Sequence, residues 1–296
     1  MANDLYTATQ AARSTLAALR YLTTLPRTVR QDFSAEFVAG RGRTIDVKTP
    51  ISVGAAREYT DTNRTARDAI VFDDIAETTV PVTMDVQIYK AVRLPDDFAT
   101  FDLVSLEQQV LRPQAESVVD GITAPLITEF NAVATDASIP TLTADGANAL
   151  EVLIAARAVL NARKVPMAGR YVAVSPAAEA AFLNVEQLQK ANEAGTDGML
   201  REATIGRLFG FTIVTDPNLT DGLGVAYHQD AFAHVTRPSR PPEGAAKSAV
   251  VAQDGFALRW LQHYNPLQLE DQSVVDTFVG ATTLDADRAV SFDMTA

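Results

Sequence analysis

The chain has 296 residues, no cysteine and a formal net charge of −12 at pH 7, with 47% hydrophobic and 21% charged residues. That composition belongs to a globular chain long enough for one large domain or two ordinary ones. It excludes disulfides and thiolate zinc sites and argues against a broad basic surface for nucleic acid. No apolar stretch approaches the ~18 residues that cross a bilayer, and the N-terminal stretch lacks the basic-then-apolar order of a signal peptide.

Residues 5–23 place Leu5, Ala8, Ala12, Leu16, Leu19 and Leu22 at steps of three and four, which predicts an amphipathic helix ended by Pro26. Residues 1–31 carry Arg13, Arg20, Arg27 and Arg30 against the single acid Asp4, a locally basic arm on an acidic body. Phe33 and Phe37 follow as isolated anchors in a polar segment, the pattern of an extended arm lying on a neighbouring subunit.

Two strands come next. Ile45, Val47, Ile51 and Val53 share one parity, and Val80, Val82, Met84, Val86 and Ile88 alternate with polar or small neighbours. The charged residues 54–79 between them, with "REYTDTNRTARD", carry no core-forming repeat. Structureless connections beyond ~15 residues are usually functional or disordered. A long β-arm that packs on another molecule is expected.

Residues 103–134 set Leu106, Val110, Val118, Ile122, Leu126 and Phe130 mostly four apart. This predicts a short helix to Leu111 and a long one from near Pro113, bent at Pro125; two helices joined at Gly121 is the alternative. The pattern then becomes α/β. A helix is expected over 147–163 with Leu150, Leu153, Ile154 and Ala158 inward. "RYVAVSP" reads as a buried strand whose Ser175 caps, and Pro176 opens, the next helix. Residues 186–192 look helical, and Phe211–Thr215 is a strand halted by Asp216-Pro217-Asn218. Final strands are expected around Val225–Val235 and Phe256–Tyr264, the latter with Phe256, Leu258, Trp260 and Tyr264 on one face.

Candidate chemistry is sparse. Gly206 and Gly210 lack the Gly-Lys-Ser/Thr ending of a phosphate loop and the third glycine of a dinucleotide fingerprint. They read instead as the end of a helical turn and the entry to a strand. On a strand His228, Asp230 and His234 would share a face, yet their spacing matches no zinc signature. Asp73-Asp74 and Asp96-Asp97 are adjacent residues, which a strand points to opposite faces, so neither pair forms an acid/base dyad. Ser175 lacks the flanking glycines of a nucleophile elbow. No catalytic residue, cofactor site or metal site is assigned.

Several phrases, in order, are similar to those of a known family. "AARSTLAALRYLTTLPRTVRQDFSAEFVAGRGRTIDVKTP" resembles the N-terminal arm and first long-loop strand of tailed-phage major capsid (coat) proteins of the Hong Kong 97 type, in their Salmonella-phage-coat-like branch. The matching residues are Arg30-Gln31-Asp32-Phe33, Gly40, Gly42 and Thr44 to Pro50. "VPMAGRYVAVSP", "IGRLFGFTIVTDPNL", "AFAHVTRP" and "DGFALRWLQHYNP" resemble, in turn, the entry to that family's axial domain, a glycine-flanked turn and strand, and the strands returning to its peripheral domain.

The resemblance implies an α+β capsid fold. Residues 1–40 would be the N-terminal arm with Arg13, Arg20, Arg27 and Arg30, and 41–88 an extended β-hairpin loop with its base strands. Residues 89–135 would be a peripheral domain with a long spine helix, 136–245 an α/β axial domain turning at Gly206 and Gly210, and 246–296 strands completing the peripheral domain. Arg57, Glu58, Arg64, Arg67, Asp73 and Asp74 would form an assembly interface on the loop.

The implied function is structural. Copies would form pentamers and hexamers of an icosahedral head around double-stranded DNA, with a portal and a separate scaffolding protein as partners, no cofactor and no membrane. Localisation would be the virion, after assembly in the host cytoplasm. Residues 53–75 hold no lysine, so the loop crosslink of some relatives is not expected. The alternatives are an encapsulin-type compartment shell, which binds a cargo peptide, and an α/β hydrolase resting on residues 147–216, which would be active as a monomer.

Overall fold

A computed structural model describes residues 8–22, 24–37, 42–48, 56–72, 74, 79–102, 105–185, 206–244, 247–253 and 255–294. In chain order the elements are α1 (Ala8–Leu22), β1 (Thr44–Lys48), α2 (Asp61–Ala66), β2 (Thr79–Thr83), β3 (Val86–Pro95), α3 (Arg112–Asn131), α4 (Ala149–Ala162), β4 (Arg170–Val174) and α5 (Pro176–Leu183). There follow β5 (Arg207–Leu208), β6 (Phe211–Thr215), β7 (Gly224–His228), β8 (Phe232–Arg237), β9 (Lys247–Gln253), β10 (Phe256–Asn265), β11 (Glu270–Thr283) and β12 (Ala289–Phe292). The helix expected over 186–192, and Ile51 and Val53 of the first strand, lie outside the described residues.

Three sheets result among the described residues. β1 and β2 form an antiparallel ribbon from Thr44↔Thr83 to Lys48↔Thr79. The second sheet runs β3-β11-β10-β9, and β8 pairs the far end of β11. The third runs β12-β7-β4-β6-β5, with β4 and β6 parallel. The single alternating run expected from Val80 to Ile88 is two strands, because the chain leaves the ribbon at Met84-Asp85 and joins a different sheet. Met84 remains buried there, while Val86 is exposed.

The third sheet has its own core. Ala149, Val152, Leu153, Ala156 and Leu160 of α4, with Ala178, Ala181 and Phe182 of α5, close over Val172, Val174, Phe211, Ala226 and Phe292. The buried stripe of α4 differs from the expected one: Leu153 points inward, whereas Ile154 is half exposed and Ala158 faces solvent. Positions 149, 152, 153, 156 and 160 follow a 3.6-residue stripe, and position 154 lies one residue, about 100°, beyond Leu153. Ser175 caps α5 by accepting from the Ala178 N–H at 3.4 Å, with Pro176 in the first turn. Asp216 halts β6 by accepting from the Asn218 N–H at 2.9 Å, an Asx turn.

A π-helical turn, Glu107–Leu111, leads into α3, which continues through Gly121 and Pro125 as one helix rather than two joined at Gly121. Its buried residues Gln114, Val118, Ile122, Leu126 and Phe130 recur every four. The first half packs with Trp260, Phe256, Leu258, Val275 and α1; the second packs Leu126, Ile127 and Phe130 against Leu25, Tyr227 and Phe232. Each fully buried side chain of this size is worth about 1.5–3 kcal/mol relative to exposure. α3 thus ties the second sheet to the third.

The N-terminal segment packs on its own chain. Ala11, Ala12 and Leu16 of α1 join the α3 core, and Phe33 and Phe37 are buried with Val47, Val82, Met84, Val235 and Leu284. This corrects the expectation that Phe33 and Phe37 anchor on a neighbour: their partners are the root of the ribbon and β8.

Candidate assembly surfaces

Between β1 and β2 none of the described loop residues 56–72 is buried. Local bonds hold this loop. Asn63 Oδ1 accepts from the Thr60 N–H at 3.1 Å and from the Thr60 hydroxyl. Asn63 Nδ2 donates to Asp68 at 3.0 Å, and the Tyr59 hydroxyl donates to the Asp68 carbonyl at 2.8 Å. α2 ends where Arg67 turns left-handed at φ 53°.

The charged residues expected at this surface are distributed as follows. Arg57 donates to the Val71 carbonyl at 3.1 Å, and Arg64 pairs with Asp61 at 2.8 Å with both side chains exposed. Glu58, Arg67 and Asp74 are exposed, and Asp73 lies outside the described residues. The loop is not purely polar, as its composition suggested. Ile70, Val71 and Phe72 are exposed at 70%, 66% and 88%, a run of three large apolar side chains facing solvent. Its signal in the sequence is the one uninterrupted apolar run among the charges, Ala69 to Phe72.

Arg13 and Arg27 are exposed, and the side chain of Arg20 lies outside the described residues. Arg30 acts as an internal clasp. Its N–H donates to the Phe232 carbonyl at 3.2 Å and its own carbonyl accepts from His234 at 2.9 Å. Its guanidinium binds Asp32 at 2.6 Å and lies 4.5 Å from the Phe33 ring centroid. The hydrogen bond from Arg30 holds the Asp32 carboxyl below the usual carboxylate range.

Gly206 precedes β5, and the helical turn expected before it lies outside the described residues. Gly210 is the second turn residue of the β5–β6 hairpin, at φ 85° after Phe209 at φ 46°. Two successive positive φ angles are what a two-residue type I′ turn demands, and glycine meets that without strain. Arg157 of α4 donates to the Phe209 carbonyl at 2.8 Å and holds the hairpin against the helix.

The histidines are separated rather than sharing a face. His228 ends β7 in the third sheet, His234 lies within β8 in the second, and Gln229–Ala231 forms a 3-10 turn between them. His228 Nδ1 accepts from the Asp230 N–H at 3.2 Å. His234 Nε2 lies 3.1 Å from the Ile122 carbonyl of α3, and burial lowers its pKa to about 4. Among the described residues no group of three or more His, Cys, Asp or Glu is placed to hold a metal ion. The buried Ser175 Oγ accepts from Ala178 and from the Gly222 N–H at 3.0 Å, a structural pin. Asp96 and Asp97 are exposed, and Asp96 accepts from the Tyr264 hydroxyl at 2.9 Å.

Comparison with known proteins accounts for this architecture. The family profile described as "Phage capsid protein" matches residues 77–277. A solved structure from Mycobacterium phage Che8 superposes with a TM-score of 0.68 at 20% identity, covering 91% of this chain and 90% of that one. The mature capsid of bacteriophage PhiM1 gives 0.59 at 12% identity, covering 86% and 83%. A virus-like particle from Pyrococcus furiosus gives 0.57 at 12%, covering 96% and 98%. A search of the curated proteins by sequence finds no match.

Proposed function

The chain belongs to the phage capsid protein family, and from that premise we propose how its parts serve the head shell of which it is the major capsid protein. It acts as a structural, non-enzymatic subunit, and copies associate as pentamers and hexamers of an icosahedral head enclosing double-stranded DNA without reading its sequence. Residues 1–40 serve as arm, 41–88 as extended loop, 89–135 and 246–296 as peripheral domain and 136–245 as axial domain. Assembly takes place in the bacterial host cytoplasm with a separate scaffolding protein and a portal.

The observation that carries this reading is the loop. Residues 56–72 bury nothing in their own chain yet present Ile70, Val71 and Phe72 beside Arg57, Glu58, Arg64 and Arg67. An exposed apolar run rimmed by charge is a contact surface waiting for another molecule. In a shell of identical subunits that molecule is the neighbouring copy. The test is assembly of the purified chain, followed by light scattering and negative-stain electron microscopy. Closed shells or rings are expected. A compact monomer at every concentration and salt tried would overturn the proposal, and binding of a cargo peptide by the shells would favour a compartment instead.

A further inference from the structure

Two buried side-chain nitrogens among the described residues lack a hydrogen-bond partner, Nε2 of Gln31 and Nδ1 of His234. Buried polar atoms are seldom left so. Both belong to one joint, where the arm meets β8. Arg30 pairs with Ala233 as a parallel bridge, so Gln31, the residue after Arg30, comes next to His234, the residue after Ala233. Two backbone bonds close the joint: Arg30 donates to the Phe232 carbonyl at 3.2 Å, and His234 donates to the Arg30 carbonyl at 2.9 Å. Both side chains reach the start of β10. A Cβ on Gly255 would lie 2.2 Å from Gln31 Oε1, and the Phe256 ring centroid is 6.5 Å from that of His234.

The two atoms are chemically complementary. The Ile122 carbonyl can only accept, so His234 Nε2, 3.1 Å away, carries the ring proton. Nδ1 of the neutral ring is then a bare acceptor, while Gln31 Nε2 is a donor. A proton added to Nδ1 turns that acceptor into a second donor. The charged groups on the surrounding elements are engaged elsewhere. Arg30 binds Asp32 on the arm, and Arg259 of β10 binds Asp276 of β11. On α3 Arg112 binds Glu116, Asp120 accepts from Asn218, and Glu129 accepts from Thr283. Glu36 is exposed and Arg237 of β8 half-buried, while Asp254, beside Gly255, lies outside the described residues.

We propose that Gln31 and His234 form a proton-sensitive latch that holds the arm on β8. With the imidazole neutral, the amide donates to Nδ1 directly or through one water, and the latch is closed. With the imidazolium formed, donor meets donor in a buried joint and the latch opens. Phe33 and Phe37, just beyond it, pack with Val47, Val82 and Met84 at the root of the ribbon. Opening therefore loosens the arm and uncovers that root, while the third sheet keeps its separate core.

Hydrogen exchange of the full-length, unassembled subunit, corrected for intrinsic rates and read by mass spectrometry at pH 7 and pH 5, tests the latch. Peptides over 25–37 and 232–236 should lose protection about twentyfold at pH 5, the ratio set by a pKa of about 4 when closed and 6.5 when open. Peptides over 172–182 should keep theirs. Gln31→Glu supplies an acceptor for the Nδ1 proton. The nuclear magnetic resonance titration of His234, assigned by its loss in His234→Gln, should then move up by about one unit or more, and the arm should stay protected at pH 5. Gln31→Leu should produce no such rise. Equal protection of the parent's arm at both pH values, or a loss spread evenly over the chain, would overturn the latch. So would a folded Gln31→Glu variant whose His234 titrates where the parent's does, and the parent measurement decides alone if that variant does not fold.

Discussion

The α/β unit around the third sheet and the loop on the first use their apolar side chains in opposite ways. The former buries Val152, Leu153, Leu160, Val172, Val174, Phe182, Phe211 and Phe292 in one cluster. The latter buries none of its described residues 56–72 and is shaped by a handful of surface hydrogen bonds. One region spends its apolar side chains on its own fold; the other keeps Ile70, Val71 and Phe72 in water. On the proposed reading folding and assembly are written into separate stretches of the chain, and variants should separate them.

The largest effect on folding is expected in the packed unit. Phe182 is fully buried with its ring edge-on to Phe292, 6.4 Å between centroids. Phe182→Ala should cost about 3–5 kcal/mol through lost burial and the cavity left behind. Denaturant unfolding of the unassembled subunit measures it. A cost under about 1 kcal/mol would mean that this core is looser than its packing indicates.

Acid should weaken the body next. His234 is fully buried and neutral, its Nδ1 has no partner, and its folded pKa of about 4 lies below the ordinary 6.5. The unfolded chain therefore takes up the proton first. Stability is complete above about pH 6.5, falls as the pH drops from there, and levels near pH 4 at a loss of about 3 kcal/mol. Asp216 works in the opposite sense, because burial raises its carboxyl pKa and acidification then favours the fold. His234→Gln should flatten the decline between pH 6.5 and 4 while Asp216→Asn leaves it in place. Unfolding curves across that range check both.

The body and the loop meet at Gly280 of β11. A Cβ there would lie 2.1 Å from the Thr83 carbonyl oxygen and 3.2 Å from the Met84 Cα, at the root of the ribbon. Gly280→Ala must push the β2–β3 connection away, at about 1–3 kcal/mol for an overpacked contact. The same shift re-aims the loop, so assembly should suffer more than the melting temperature does. Normal shells from Gly280→Ala would show that the loop finds its target whatever the direction of its root.

The parts that were legible in the sequence are those fixed by local chemistry. Ser175-Pro176 marks the start of α5, Asp216-Pro217 the end of β6, and the four-residue steps from Val118 to Phe130 the buried side of α3. β11, the longest strand among the described residues, escaped because polar Glu270, Ser273, Asp276 and Thr277 are buried alongside Val275 and Val279. Asp276 accepts from Arg259 at 2.7 and 2.9 Å, Ser273 from Trp260 at 3.0 Å, and Thr277 donates to the Ala257 carbonyl at 2.7 Å. A strand paired on both edges can bury polar residues on partners that only the fold supplies, which erases the alternation. At the candidate site the missing core of the loop was readable from its charges. The exposure of Ile70 to Phe72 was not, since a short apolar run reads as interior until the fold shows it uncovered.

The smallest effect on folding, and the most informative, belongs to the loop. Replacing residues 56–72 by a short Gly-Ser turn removes no buried side chain. It breaks the Arg64–Asp61 pair, whose side chains are 67% and 94% exposed, and such pairs contribute about 0.2–1 kcal/mol. Shortening the connection returns some closure entropy, about 0.6 kcal/mol per halving of length. The two nearly cancel, so the subunit should melt within a few degrees of the parent while shells disappear. Phe72→Asp tests the apolar share of the contact alone, and Arg57→Glu with Arg64→Glu and Arg67→Glu tests the charged share. The charge reversal should be the milder of the two, and its defect should change with salt because screening acts over about 8–10 Å. The readouts are thermal melting for the fold and electron microscopy for the shells. A collapsed melting transition would assign the loop to the fold, and undiminished shells from the replacement would remove it from assembly.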